Sequence, residues 1–354
     1  MVGRVGPKWN PIQSGQILRY VGRMKNESQP DEQGVGKGPG QQPQHILISS
    51  IKDEGPFILE WVAHHLVLGF DRICVASNDC SDGSDRLLDA LDRAGYISHV
   101  ANEVQPGEIP QHAGYAAIRR KAGVDAAEWL MMLDVDEFLN VHPGGHRVAD
   151  LTGLAAADID VIALNGMCFG DVPEVNWHPG PICPRFPHRL PVGHKANFAL
   201  KTLTRDPARF GGIHNHSMVG YKGSTVLEVL RGDGGRYALE LGVPLWKQLR
   251  HDATRPVSHE IAQYNHYPIK TWDAFMLRRA RGRGAVAEMT EATQRHTDAY
   301  FAARSLAAGT DRTILRYGAE VAARMQDMLA DQKVRRRQQD CDRLYAALAA
   351  PYRR

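Results

Sequence analysis

Cysteine is scarce in this sequence of 354 residues, and its few cysteines follow no metal-binding or disulfide pattern. Their number is odd and no two stand in a CxxC pair, which disfavours both a disulfide framework and a zinc ribbon. The five are Cys74, Cys80, Cys168, Cys183 and Cys341. We therefore expect reduced thiols and a cytoplasmic protein.

Long apolar runs and a strong net charge are also missing. No stretch approaches the ~18 uninterrupted apolar residues of a membrane-spanning helix, and the N-terminus has no apolar segment typical of a secretory signal. Lys plus Arg number 43 and Asp plus Glu number 40, giving a net charge of +3. This balance does not call for a nucleic-acid partner, so none is predicted.

The first 44 residues are polar and rich in Gly, Pro and Gln. Such a composition buries too little apolar surface to offset its ordering entropy. We predict that residues 1–44 form a mostly disordered leader. The alternative is that the apolar stretch at 17–21 adds an edge strand to the fold.

From His45 onward, apolar runs typical of buried strands alternate with helical patterns. This alternation predicts an α/β fold with an open, mainly parallel sheet flanked by helices. In such sheets, ligands bind outside the carboxyl ends of the strands. The predicted strands are 46–50, 70–76, 96–100, 129–133 and 159–164, with helices beginning near Pro56, Ser84 and residue 111.

The remainder of the chain is less regular. Residues 171–200 and 222–258 have little periodicity and are predicted as irregular excursions, whereas 212–219 has the pattern of a strand. Helical spacing dominates from Trp272 onward. The predicted organisation is a leader (1–44), an α/β domain (45–285) and a helical extension with a basic tail (286–354).

Three carboxylates follow the apolar strand at 129–133: Asp134, Asp136 and Glu137. Acids at the end of a buried strand are costly unless their charge is compensated. Asp134 and Asp136, separated by one residue, can both reach one hard cation such as Mg²⁺ or Mn²⁺. The alternative is an acidic turn that caps the next element, and the strand context favours the metal site.

Polar residues also follow the first two predicted strands. Lys52, Asp53 and Glu54 follow the first, either to contact a ligand or to favour a helix N-terminus. Asn78 and Asp82 lie in a turn after the second strand, where a carboxylate can bond a ribose or a base, or serve only the turn. Each segment alone leaves both interpretations open.

Taken together, the three segments resemble the glycosyltransferase family 2-like proteins of the GT-A fold, in the branch that also resembles the family 92 transferases. The resemblance covers roughly residues 45–285, and Cys80 departs from the usual Ser or Asp. The matching residues include Lys52, Glu54, Glu60, Trp61, His64, His65, Asn78, Asp82, Trp129, Asp134, Asp136, Glu137, Phe169, Lys201, Asn265, His266 and Lys270.

This resemblance implies a nucleotide-sugar donor, a Mn²⁺ or Mg²⁺ ion and inversion at the anomeric carbon. UDP is the nucleotide that we expect in the donor. It implies that Glu54 and Asp82 contact the base or ribose. Asp134 would face the ribose or the metal, and Asp136 would be the principal metal ligand. Lys52, Asn78 and Lys270 complete the predicted donor-binding set.

Inversion also needs a base that removes the proton of the acceptor hydroxyl. Asp171 is the first candidate and Glu174 the second. A late histidine could complete the metal site; His216, which would share one face of a strand with His214, is predicted for this role, with His266 as a competitor.

Basic residues near the C-terminus are the remaining candidates for donor and surface contacts. Lys270 and a group of arginines could approach the donor diphosphate. Residues 331–354 are basic, and they either keep the protein in solution or make weak peripheral contact with an anionic membrane. The arginines are Arg278, Arg279, Arg281 and Arg283.

We therefore predict a metal-dependent inverting glycosyltransferase that acts on a glycan or another hydroxyl acceptor. The alternatives are a metal-dependent phosphoryl or nucleotidyl transferase and a non-catalytic nucleotide-sugar or glycan-binding module.

Overall fold

The computed structural model describes residues 44–170, 174–240, 242–243, 247–248 and 257–354. The predicted leader and its alternative edge strand lie outside these residues, apart from Gln44, and so does Asp171.

The first half of the described chain alternates strands and helices, as predicted. Strands β1, β2, β3 and β4 lie side by side in the order β3-β2-β1-β4, and every neighbouring pair is parallel. The predicted open, mainly parallel α/β sheet is therefore confirmed. The elements are β1 (His45–Ile51), α1 (Gly55–Val67), β2 (Arg72–Ser77), α2 (Ser84–Arg93), β3 (Ser98–Ala101), α3 (Pro110–Ala122) and β4 (Trp129–Met132).

The second half extends the sheet with both antiparallel and parallel pairs. β8 lies between β4 and β6 and is antiparallel to both, and β13 joins β5 to β6. The elements are β5 (Glu137–Val141), α4 (Val148–Thr152), β6 (Val161–Cys168), β7 (His188–Arg189), β8 (Leu200–Arg205), β9 (Phe210–Ile213), β10 (Met218–Tyr221), β11 (Leu227–Arg231), β12 (Arg236–Leu239), β13 (Ala262–His266), α5 (Trp272–Arg281), α6 (Asp298–Ala302), β14 (Gly309–Thr310), α7 (Gly318–Ala330) and α8 (Gln332–Ala349).

Both faces of the central strands are buried, which explains why β1 and β4 carry no polar alternation. Leu47 of β1 packs in the core beneath α1 and α2, whereas Ile46 and Ile48 point to the opposite core beneath α3. Because the strands are parallel, the carboxyl ends of β1, β2 and β4 meet at one edge of the sheet.

The C-terminal helices α7 and α8 pack on α1 and α2. A Cβ on Gly55 would lie 2.7 Å from the Sγ of Cys341, so the start of α1 and α8 are in close contact. The ring of Tyr345 on α8 meets that of Phe57 edge to face, with centroids 5.5 Å apart. Helix α8 thus reaches the carboxyl edge of the sheet.

Three expectations about the later chain are wrong. Residues 212–219 are not one strand: β9 and β10 form an antiparallel hairpin in which Ile213 pairs with Met218. His214 and His216 lie in its turn, so their alternation on a strand face does not apply. The excursion predicted at 222–258 contains β11 and β12, which pair across a short turn at Asp233.

The chain after Trp272 is not continuously helical either. Residues 282–297, which we call the connecting segment, run between α5 and α6 without helical structure.

Candidate active site

The three predicted acids lie at the carboxyl edge, where β4 turns directly into β5. The N–H of Glu137 donates to the carbonyl of Asp134 (2.9 Å), which closes a tight turn. Asp136 and Glu137 are buried, whereas the side chain of Asp134 is 35% exposed. We call Asp134, Asp136 and Glu137 the acidic edge, and its charge must be balanced within the protein or by a ligand.

Lys201 of β8 balances two of these acids. Its Nζ lies 2.8 Å from a carboxylate oxygen of Glu137 and 3.6 Å from one of Asp134, and the side chain is 1% exposed. Burial lowers the pKa of Lys201, but the attraction of Asp134 and Glu137 outweighs it and raises the pKa, so the ammonium group stays charged. The prediction included Lys201 only as part of a matched motif, without this role.

Asp136 is paired with cations on its other side. Arg278 of α5 donates to its Oδ2, and the Nε2 of His266 lies 3.7 Å from the same oxygen. Burial alone would raise the pKa of Asp136, but Arg278 and His266 outweigh burial and hold it well below its usual range. The buried Oδ1 accepts no hydrogen bond from the described residues.

The loop after β1 is held by Arg281 of α5. Arg281 donates to the carbonyls of Lys52 and Asp53, and its guanidinium lies 2.8 Å from the carboxylate of Glu54. Asp53 has a positive φ of 52°, which an arginine bonded to two successive carbonyls helps to hold. Glu54 therefore faces the arginines of α5, near the acidic edge.

Asp82, predicted to contact the nucleotide, is completely buried. One carboxylate oxygen accepts from the N–H of Gly55 (2.7 Å), and the other accepts from the N–H (2.9 Å) and Oγ (2.5 Å) of Ser84. Its carboxylate thus joins the N-termini of α1 and α2. This geometry favours a supporting role for Asp82, and its contact with a nucleotide stays a prediction.

Asn78 and Asp53 are engaged in the same loops. The side-chain amide of Asn78 donates to Asp79 (2.9 Å), and Asp53 accepts from the N–H (2.5 Å) and the hydroxyl (3.0 Å) of Ser81. Both residues are more than nine-tenths buried. They fix the loops after β1 and β2 against each other.

A small cavity opens between the loop after β1 and α5, with room for about one water molecule. Lys270 lines it and is 6% exposed, with its Nζ 4.5 Å from the centroid of the Phe57 ring. Burial lowers the pKa of Lys270. The other lining residues are Asp53, Glu54, Pro268, Ile269, Ala274, Leu277, Arg278, Arg281 and Tyr345.

The connecting segment crosses this edge of the sheet. The carbonyl of Gly284 accepts from the N–H of Gln111 at the start of α3 (2.9 Å), and the Gln111 side chain donates to Asp134 (2.7 Å). The segment therefore runs from α5 to the acidic edge. The sequence of residues 282–297 contains no pattern that predicts this path of the chain.

The predicted metal ligands are only partly assembled. Among the residues that the structure describes, no three His, Cys, Asp or Glu side chains are arranged to hold an ion. The Nδ1 of His216 donates to the carbonyl of Leu200 (2.9 Å), whereas His266 is the histidine beside Asp136. Asp134 and the unpartnered oxygen of Asp136 fit a hard cation; the third ligand stays a prediction.

Glu174, the second candidate base, is tied to a neighbouring arginine. Arg185 contacts it through Nη2 (2.5 Å) and Nε (3.3 Å), and His178 lies 3.5 Å away. The carboxylate of Glu174 is thus already engaged in an ion pair. Its catalytic role, like that of Asp171, stays a prediction.

Four residues of the matched α1 motif support the fold. Trp61 and His64 donate to the carbonyls of Glu137 (2.9 Å) and Leu139 (2.7 Å) on β5. His65, which donates to the carbonyl of Trp61 (2.8 Å), is fully buried. Glu60 accepts from the N–H groups of residues 182 (2.5 Å) and 183 (3.1 Å) and thus anchors the excursion that follows β6.

The basic C-terminal residues fold back onto α5. The Nε of Arg353 lies 3.7 Å from the buried carboxylate of Asp273, and the guanidinium of Arg354 lies 3.3 Å from the centroid of the Trp272 ring. None of the helices in the described part of the chain is long and apolar enough to span a membrane.

Comparison with known proteins agrees with the resemblance seen in the sequence. Over 105 residues, 30% of this chain and 17% of the relative, it is 29% identical to a glycosyltransferase family 92 protein of Oryza sativa subsp. japonica. Over 108 residues it is 30% identical to a family 92 protein of Ricinus communis, covering 30% and 19% of the two chains. The chain thus covers less than a fifth of these relatives' length, and no family model matches it.

Solved glycosyltransferases show weak structural similarity. A Pyrobaculum calidifontis mannosyltransferase in complex with GDP-Man and Mn²⁺ aligns over 42% of this chain and 43% of its own, with 16% identity and a TM-score of 0.27. TarS of S. aureus (residues 1–349) aligns over 87% and 91%, with 13% identity and a TM-score of 0.34.

Proposed function

We propose that this protein is an inverting glycosyltransferase that moves a sugar from a nucleotide-diphosphate donor to a glycan or another hydroxyl acceptor. The acidic edge carries the proposal: Asp136 lies between Arg278 and His266 at the carboxyl ends of parallel strands, where α/β proteins bind ligands. The similarity to family 92 proteins supports the same activity. The five unpaired cysteines agree with the cytoplasmic location that the proposal includes.

Asp134 and Asp136 would hold the divalent ion, Mn²⁺ or Mg²⁺. The exposed carboxylate of Asp134 and the unpartnered Oδ1 of Asp136 are oxygen ligands of the kind that these ions prefer. When bound, such an ion supplies positive charge to the departing diphosphate. Lys201 lies beside Asp134 and Glu137 and balances part of the remaining charge of the acidic edge.

The protein's own cations share this electrostatic work. Departure of the nucleoside diphosphate develops negative charge on its phosphate oxygen, which fixed positive groups stabilise. Lys270, Arg278 and Arg281 line the cavity beside the acidic edge. Removal of the acceptor's proton is assigned to Asp171, with Glu174 as the alternative base.

A donor screen tests the proposal. Purified protein would be incubated with nucleotide-sugars differing in base and sugar, with Mn²⁺ or Mg²⁺, and released nucleoside diphosphate would be measured. We expect hydrolysis of at least one donor, lost in the Asp136→Asn variant. Binding of a nucleotide without hydrolysis or transfer from any donor would favour a binding module, and release of nucleoside monophosphate or pyrophosphate would favour a nucleotidyl transferase.

A further inference from the structure

The connecting segment brings extra positive charge close to the arginines of α5. Its residue His296 is 4% exposed and packs against the rings of Phe275 and Tyr300, with centroid distances of 6.2 and 5.4 Å. The Nδ1 of His296 is buried and has no hydrogen-bond partner among the described residues. Around His296 lies an arginine cluster, consisting of Arg278, Arg281, Arg283 and Arg295.

The pKa of His296 shows how closely these charges crowd together. Burial has the largest effect on it, and all four guanidinium groups of the arginine cluster lower it further, to about 2. Burial and the neighbouring Arg295 and Arg278 also lower the pKa of Arg283. Positive charge is therefore concentrated at one place.

The carboxylates nearby balance only part of this charge. Arg278 is paired with Asp136 and Arg281 with Glu54. Within the described residues, neither Arg283 nor Arg295 forms an ion pair.

Their other contacts are weak or uncharged. Arg283 donates to the carbonyl of Thr293 (3.0 Å), and Arg295 lies 5.6 Å from the centroid of the Tyr300 ring. The buried Nε of Arg278 also has no hydrogen-bond partner among the described residues. Buried donors without partners and unbalanced guanidinium groups are what an anion-binding site presents before its ligand arrives.

The cluster is open to a ligand on one side. Arg295 is exposed and Arg283 partly so, whereas Arg278 and Arg281 line the cavity next to Glu54 and Lys270. An anion in solvent can therefore contact the cluster first at Arg295. One guanidinium group can bind two oxygens of a phosphate at once. A cluster of such groups therefore suits a ligand with two linked phosphates.

We propose that the arginine cluster around His296 binds the diphosphate of the donor directly, so that the donor is anchored without a divalent ion. The identity of the anion as a nucleotide donor rests on the proposed function. The ion at the acidic edge would then be needed for transfer of the sugar but not for binding of the donor.

Calorimetry with inorganic pyrophosphate in EDTA tests this inference on the full chain. We expect measurable binding, similar in strength to that with Mg²⁺ present, and weaker binding of inorganic phosphate. The double variant Arg283→Ala/Arg295→Ala should weaken pyrophosphate binding by roughly 10- to 100-fold, since it removes two charge-assisted contacts. Lysine at both positions should restore part of the affinity.

Arg93→Ala is the control. Arg93 lies on α2, where it is paired with Asp89 at the surface (3.7 Å). It should leave pyrophosphate affinity within about twofold, because exposed ion pairs contribute little. Thermal melts of each variant establish that it is folded.

Several outcomes would overturn the inference: no pyrophosphate binding in EDTA, binding only when a divalent ion is added, equal affinity for inorganic phosphate, or equal losses in Arg93→Ala and the double variant. Failure of the proposed function looks different. In that case, pyrophosphate would still bind in EDTA and depend on Arg283 and Arg295, but no nucleotide-sugar would be turned over.

Discussion

The acidic edge and the arginine cluster lie side by side, yet they are built in opposite ways. The chain reaches Asp134, Asp136 and Glu137 directly after one buried strand, so neighbouring residues in the sequence determine where these acids lie. The arginines come from α5 and from the connecting segment, which is brought to the sheet edge by long-range contacts such as that of Gly284 with Gln111. The negative charge of the acids is balanced largely by cations of the protein itself. The arginine cluster has positive charge left over, and we propose that an anionic ligand balances it.

The largest expected effect, on the free energy of unfolding, follows from removing the lysine that balances the buried carboxylate of Glu137. Lys201→Met should lower the free energy of unfolding by about 3–5 kcal/mol, because it leaves Glu137 buried without its cation. Urea denaturation measures this, with Lys121→Met on the exposed face of α3 as a control. The second change Glu137→Gln should restore most of the loss; no restoration would show that the two groups are not coupled.

Asp136→Asn should leave the protein folded but reduce donor turnover by roughly 100-fold, since it removes a charge that pairs with Arg278 and, in the proposed function, holds the ion. Rates at saturating donor measure this. Asp327→Asn, on the exposed face of α7, is the control. Wild-type turnover in Asp136→Asn would place the chemistry elsewhere.

Stability should also depend on the protonation of His64, which holds β5 and so the acidic edge. Burial lowers the pKa of His64 to about 4, against about 6.5 in the unfolded chain, so the unfolded state binds protons first as the pH falls. Its contribution to the free energy of unfolding should fall by about 2 kcal/mol between pH 7 and pH 5. His64→Gln should flatten this part of the pH profile, and the exposed His178→Gln should not.

The smallest expected effect belongs to Asp82. Asp82→Asn should lower the free energy of unfolding by about 1 kcal/mol, because an amide cannot accept from both Gly55 and Ser84 as the carboxylate does. The exposed Asp92→Asn is the control. A large loss of nucleotide affinity with unchanged stability would instead support the contact predicted from the sequence.

Sequence reasoning succeeded where position along the chain determines position in space. Buried strands such as β1 and β4 read as continuous apolar runs, and their ends identify the sheet edge that carries Asp134 and Asp136. It failed where a residue acts through distant packing. Lys201 lies on β8, 64 or more residues after the acids it balances, and no local pattern connects them.

One other failure, at His214 and His216, has a physical cause of the same kind. His214 and His216 fit a strand alternation until the chain turns back at β10, which the pairing of Ile213 with Met218 determines. Asp82 matches a ligand-binding motif, and its oxygens accept hydrogen bonds at two helix N-termini, so its contact with a nucleotide stays a prediction. A motif gives the residue, and the surrounding backbone decides whether its side chain faces a ligand.

Together, the two proposals make the acidic edge and the arginine cluster the two sides of one donor site. A crystal structure with a bound nucleoside diphosphate and Mn²⁺ tests this arrangement. We expect the phosphates to lie between Asp136 and the guanidinium groups of Arg278, Arg283 and Arg295. A nucleotide bound at another place, with the acidic edge and the arginine cluster unchanged and not in contact with it, would contradict this donor site.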